Sequence, residues 1–259
     1  KADLVMKKLL ATLLLIPALA APAVFANEAG VHLDPAPINV RDTASLQAGA
    51  RTFVNYCLNC HSASMMRYNR MRDIGLSEEQ IKENLLFTAD KVGEMMNAGM
   101  SRKDGKEWFG AAPPDLSVIA RSRGADWLYT YLRGFYRDPE TATGWNNAVF
   151  DRVAMPHVLW TLQGERVRKE EVLKDADGKD VSDGHGGVRK VVRYETVRAG
   201  SLSTAEYDVV VRDLVNFLTW MGEPNQILRK QIGFWVLVVV GMLIGLTWLL
   251  KSAYWKDIH

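Results

Sequence analysis

The chain has 259 residues, 48% of them hydrophobic and 24% charged, and its 32 Lys and Arg against 30 Asp and Glu leave a net charge of +2. Lys1, Lys7, Lys8 and Asp3 lie in the first 26 residues, and Arg229, Lys230, Lys251, Lys256 and Asp257 in the last 31, so residues 27–228 carry about −3. That balance disfavours nucleic acid and suits a basic partner.

Residues 1–26 read as a secretion signal. Lys7 and Lys8 make the charged start, LLATLLLIPALAAPAVF the apolar run, and VFA before Asn27 a small-residue cleavage site. About 200 residues then remain for one globular domain, enough to enclose a sizeable core. Its first predicted helix is TASLQAGARTFVNYC, which opens on cap residues Thr43 and Ser45 and sets Leu46, Ala50, Phe53 and Val54 at helical spacing.

That helix runs into YCLNCHS, where Cys57 and Cys60 are the chain's two cysteines and His61 follows at once. C-x-x-C-H is the attachment signature of a c-type haem. Each thiol can add across a haem vinyl group, and the adjacent imidazole then reaches one face of the iron. A thioredoxin-like pair would sit at a strand–helix junction of an α/β pattern, which the surrounding sequence lacks. A structural zinc site needs two further ligands at comparable spacing, and no other cysteine exists. In bacteria haem is attached covalently outside the inner membrane, so the motif and the signal support each other.

Further along, SEEQIKENLLF predicts a helix with Ser77 and Gln80 as a capping box and Ile81, Leu85 and Leu86 apolar. In ADWLYTYLRGFY, helical spacing puts Trp127, Leu128, Tyr131, Leu132 and Phe135 on one face. Residues 164–200 differ in character: RVRKEEV and VRKVVRYETV flank a Gly/Asp-rich DADGKDVSDGHGG, which predicts a β-hairpin or long excursion with a mobile tip. A calcium loop starting at Asp175 would need Gly sixth and Glu twelfth, where the chain has Asp180 and Gly186, so that reading fails. STAEYDVVVRDLVNFLTWM, capped by Ser203 and Glu206, then carries Tyr207, Val210, Val211, Leu214, Phe217, Leu218 and Met221 along one stripe. Residues 231–250, QIGFWVLVVVGMLIGLTWLL, hold no charge over about 30 Å of helix, one hydrocarbon thickness. Arg229 and Lys230 close one end and Lys251 and Lys256 the other, with Trp235, Trp248, Tyr254 and Trp255 as interfacial aromatics. This predicts a single transmembrane helix over 229–251 and a short cytoplasmic tail over 252–259, leaving 27–228 outside.

The iron's second face needs a donor, and thioethers suit a low-spin electron-transfer haem. Met65 and Met66 stand too close behind the motif to cross over. Met95, Met96 and Met100 fall in a helical or turn stretch where methionine fills cores. Met71 is a further candidate, and Met221 sits at the membrane end of the last amphipathic helix. Met155, in the loop-like DRVAMPHVLW and stiffened by Pro156, is the best placed, with His157 its competitor.

With these segments in hand the chain resembles the cytochrome c1 family, the haem subunit of the bacterial cytochrome bc1 complex. CLNCH alone indicates only a c-type cytochrome. WFGAAPPDLSVIARSRG at 108–124 is similar to the family's haem-pocket segment, and MGEPNQILRKQIG at 221–233 to its approach to the membrane, with DWLYTYLRGFYRDP and AMP in order between them. The resemblance implies a mainly α, class I-like cytochrome c domain with a hairpin insertion and one C-terminal membrane helix. It implies one covalent haem c held by Cys57 and Cys60, with His61 and Met155 as axial ligands. Pro113 and Pro114 would pack on the histidine side, where a backbone carbonyl can orient the imidazole, and Arg123, with Arg121 as the alternative, would pair with a propionate. Some members carry a disulfide near the methionine loop; this chain has no cysteine for one, so packing must hold that loop.

The implied work is electron transfer from a Rieske iron–sulfur protein to a soluble or tethered cytochrome c, beside cytochrome b, in a dimeric complex of the bacterial inner membrane. No substrate bond is made, so no catalytic acid or base is expected. Two other readings stand beside it: a tethered cytochrome serving a terminal oxidase or nitrogen-oxide reductase, and a haem-based ligand sensor.

Overall fold

In a computed structural model the described residues are 31–175, 179–182 and 187–256. The secretion-signal segment 1–26, parts of the Gly/Asp-rich turn and the last three residues of the tail lie outside them.

Helix α1, Thr43–Tyr56, starts on Asp42, whose carboxylate accepts from Ser45 N; Thr43 and Ser45 stand just inside the cap that the sequence placed on them. Asp42 wins because its side chain satisfies a free N–H and its charge favours the helix start. Strand β1, Ala63–Arg67, follows the haem motif, then a 3-10 turn at Tyr68–Ile74. Helix α2, Glu78–Asn84, has the reciprocal Ser77–Gln80 capping box expected of it. Met95–Met96 form β2, an edge paired antiparallel to β1 and not a helical stretch.

Helices α3, Arg102–Phe109, α4, Ile119–Arg123, and α5, Ala125–Arg133, carry the middle of the domain. The predicted helical face ends before Phe135: Gly134 closes α5, and Phe135–Arg137 becomes β3, whose partner is β4, Trp145–Asn147. After the short α6, Trp160–Gln163, come β5, Gly164–Val172, and β6, Lys190–Ala199, an antiparallel pair added to β3 in the order β4-β3-β5-β6.

Helix α7, Thr204–Gly222, begins on the Ser203–Glu206 capping box and packs along α1. Gly49 makes that approach possible: a Cβ there would lie 2.6 Å from Phe217 Cβ and against the carbonyl of Asp213. Leu46, Phe53, Leu214, Val215 and Phe217 are buried in this core. Helix α8, Gln226–Trp255, is 30 residues long, about 45 Å, with its apolar side chains exposed; it is the candidate membrane span. Glu223, at the end of α7, pairs with Arg229 on α8 and, at 3.9 Å, with Arg121.

Candidate functional site

The C-terminal end of α1 supplies the first part of the site. Cys60 N and His61 N both bond to Cys57 O, at 3.1 and 2.8 Å, so the two cysteines and the histidine share one tight turn. Both thiols are free, and Cys57 is 7% exposed. Burial, with the nearby Cys60 charge adding to it, pushes the Cys57 thiol up to about 12, and burial raises Cys60 as well. A thioredoxin-like redox pair would need the opposite shift.

His61 is 8% exposed, and its Nδ1 lies 2.8 Å from the carbonyl oxygen of Pro114. A carbonyl only accepts, so Nδ1 carries the proton and Nε2 keeps its lone pair. Burial lowers the affinity of His61 for a second proton, against smaller opposing effects from the Pro114 bond and the Asp115 charge. The result is a neutral imidazole in one tautomer.

Pro114 is held in place by the residues after it. Asp115 accepts from Ser64 N at 2.9 Å and Ser117 N at 2.8 Å, Ser117 Oγ accepts from Met65 N at 3.0 Å, and Leu116 N donates to Ser62 O at 2.8 Å. The 114–117 segment is thus zipped to the stretch that follows His61. Pro113 is fixed on its other side by Gly105 of α3, where a Cβ would meet Pro113 Cδ at 2.6 Å.

Cys60, His61, Pro113, Pro114 and Met155 line one cleft, together with Tyr56, Phe109 and the alanines between them, around a cavity of about 110 Å³. Apolar walls, two thiols at one turn, an imidazole nitrogen with a free lone pair and a thioether form a donor set that fits a covalently held haem.

Met155 stands in the loop after Val153, and its Sδ lies 3.5 Å from Tyr131 Oη. His157 goes elsewhere. It is 2% exposed, stacked on Phe135 at 4.7 Å and edge-on to Trp145 at 5.1 Å, and its Nε2 has no hydrogen-bond partner among the described residues. Burial drives its pKa down to about 3, opposed in part by the nearby Gln163 side chain and reinforced by the charges of Arg166 and Arg137. Neither arginine of the 121–123 stretch lines the cleft: Arg121 reaches Glu223, and the Arg123 guanidinium lies over Trp127 at 5.1 Å.

Two features were not read from the sequence. One is the Tyr131 hydroxyl on the Met155 sulfur. The other is Asn146–Asn147, buried at the end of β4, whose side chains hold the methionine loop by hydrogen bonds where packing alone was expected. Asn146 Oδ1 accepts from Arg152 N at 2.8 Å, and Asn147 Oδ1 accepts from Val149 N at 2.9 Å. Asn147 Nδ2 donates to Tyr131 O at 2.8 Å, tying the loop to α5. Arg152 sits at φ 53°, a left-handed position that Asn146 stabilises from outside the residue. The sequence signal was the paired amide in GWNNAVF.

A C-x-x-C-H turn opening on an apolar cleft, in a chain with a long apolar helix at its end, defines a membrane-anchored c-type haem electron carrier. Residues 35–258 match the model of the Cytochrome C1 family, and the chain belongs to that family. It is 48% identical to the ammonia monooxygenase gamma subunit of Nitrosomonas europaea, over 95% of this chain and 97% of that one. It is 46% identical to the cytochrome c1 of Allochromatium vinosum, over 98% and 99%, and 26% identical to that of Rhodospirillum rubrum, over 90% and 91%. Members of the family bind one covalently attached haem c and are subunits of the cytochrome bc1 complex with cytochrome b and the Rieske protein.

Proposed function

We propose that this chain takes an electron from a Rieske iron–sulfur protein on the periplasmic side of a bacterial inner membrane. It hands the electron to a soluble or tethered cytochrome c, as part of a dimeric quinol–cytochrome c reductase. When bound, the haem supplies a one-electron iron couple whose potential follows its axial donors and surroundings. The chain's own residues do the rest. Cys57 and Cys60 would tether the group, and His61 Nε2 and Met155 Sδ would be the donors to its iron. The Pro114 carbonyl holds the His61 ring in one tautomer and one orientation, as an outer-shell partner of a metal-bound imidazole does. Pro113 and Pro114 would wall the histidine side, and a soft thioether donor would raise the potential. Arg123, with Arg121 as the alternative, meets a propionate. With residues 1–26 directing export, Lys251 and Lys256 fall on the cytoplasmic side.

The observation that carries this reading is the Nδ1–H bond of His61 to Pro114, which leaves Nε2 as a ready donor in the same cleft as Met155, while His157 stays in the aromatic core. The relative named an ammonia monooxygenase subunit points to another assembly. The C-x-x-C-H turn, with His61 and Met155 on one apolar cleft, favours the electron-carrier reading.

Wild-type haem should stay with the polypeptide through denaturing gel electrophoresis, and Cys57→Ala with Cys60→Ala should abolish this. Met155→Leu should lose the far-red sulfur-to-iron band and gain carbon monoxide binding with the haem still attached. His157→Ala should keep the band. A band that survives Met155→Leu, or disappears in His157→Ala alone, overturns the ligand assignment.

A further inference from the structure

We propose that Tyr131 is a positioning residue for the Met155 thioether: its hydroxyl occupies one sulfur lone pair, turns the other toward the cleft, and raises the reduction potential of the site. The assignment rests on Met155 as axial ligand.

Tyr131 is 9% exposed on α5, and its ring is fixed on both sides. It stacks on Trp127 with centroids 4.7 Å apart and planes at 12°, and meets Phe135 edge-on at 5.1 Å and 70°. Its backbone carbonyl is held by Asn147 Nδ2 and Gly134 N. A phenylalanine would make the same ring contacts without a hydroxyl to bury. A buried hydroxyl costs free energy unless it finds an acceptor, and the acceptor it finds is Met155 Sδ at 3.5 Å.

Methionine is unbranched with three rotatable bonds, so its sulfur has no fixed direction of its own. A rigid donor on one lone pair supplies that direction. The same bond draws electron density from sulfur. A poorer thioether donor stabilises ferric iron less, and ferrous iron is the form that needs it less, so the potential rises.

The test is a double-mutant cycle on the full-length protein in detergent, read by redox titration and by the far-red band. Tyr131→Phe should keep the haem and the band, displace the band, and lower the ferrous-to-ferric ratio at fixed ambient potential three- to tenfold, about 28 to 59 mV at 59 mV per decade. In a Met155→Leu background the same change should have no effect on potential. Wild-type titration values and band position in Tyr131→Phe overturn the proposal, and so does an equal drop in both backgrounds, since it would not pass through sulfur. A band that survives Met155→Leu defeats the ligand reading instead. A second readout uses the unmodified reduced protein, whose Tyr131 hydroxyl proton should show a proton–proton contact with the Met155 methyl; its absence overturns the proposal even if Tyr131→Phe accumulates poorly.

Discussion

The α1–α7 pair and the antiparallel β5–β6 hairpin are both extensive two-element pairings, yet they hold together by opposite means. Along α1 and α7, Gly49 lets one backbone lie against the other, and large side chains close over the contact. A polar cluster is buried with them: Ser45 Oγ donates to Asp213 Oδ1 at 2.6 Å, and Asn216 Nδ2 donates to Ser45 Oγ at 2.9 Å and to Asn39 O at 2.8 Å. Beyond its base the hairpin is exposed on both faces, and ion pairs such as Lys169–Glu195 and Arg193–Glu171 line it. Exposed pairs of this kind contribute about 0–1 kcal/mol each. The hairpin is anchored at its base, where Arg166 donates to the Phe135 carbonyl at 2.9 Å and Glu165 pairs with Arg137 at 2.8 Å. The helix pair ends in the haem motif and must be rigid. The hairpin leaves the cleft and can vary.

The sharpest way to break this contrast is Gly49→Ala. The new methyl meets a helix backbone that cannot retreat alone, and overpacking of that kind costs about 3 kcal/mol. Thermal or denaturant unfolding followed at the haem absorbance should show it, with less haem-loaded protein in membranes. Ser45→Ala comes next: it strips a charged acceptor and Asn216 of a shared partner, for about 2 kcal/mol in the same assay. Wild-type stability in both variants would mean that the helix contact does not limit the fold.

On the other side, replacing residues 173–189 by an Asn-Gly turn between Val172 and Lys190 should shorten the hairpin while leaving β5–β6 paired. The haem spectrum should be unchanged and stability should move by less than about 1 kcal/mol. A lost far-red band would show that the hairpin reaches the site. The smallest effect is at the anchor. Burial acts to raise the Glu165 carboxyl, but the Arg137 hydrogen bond is larger and, with the charges of Arg137 and Arg198, holds it below the usual carboxylate range. A depressed folded value contributes stability above the unfolded value and loses it as pH falls through the folded one. Glu165→Gln should therefore be slightly less stable than wild type at neutral pH and match it in acid. A gap that persists below the carboxylate range would mean that the pair acts by packing and not by charge.

What the sequence determined by itself is written in short spacings. C-x-x-C-H, the capping boxes at Ser77 and Ser203, the apolar stripe of α7 and the uncharged run of α8 each depend on residues a turn or two apart, whose geometry the backbone imposes. Where a local rule competed with a neighbour the reading slipped: Asp42 took the cap from Thr43 and Ser45, and Phe135 left its helical face for a strand. Only the tertiary structure decided which lone pairs are met and which stay free. The Pro114 carbonyl selects the His61 tautomer from 53 residues away, Tyr131 reaches the Met155 sulfur across 24, and Asn146 and Asn147 hold the loop between. His157, two residues from Met155 in the chain, is carried off into a stack with Phe135. A hydrogen bond requires a donor and acceptor within about 3 Å, or about 3.5 Å at sulfur, and no periodicity in the chain encodes that distance for groups that only packing brings together.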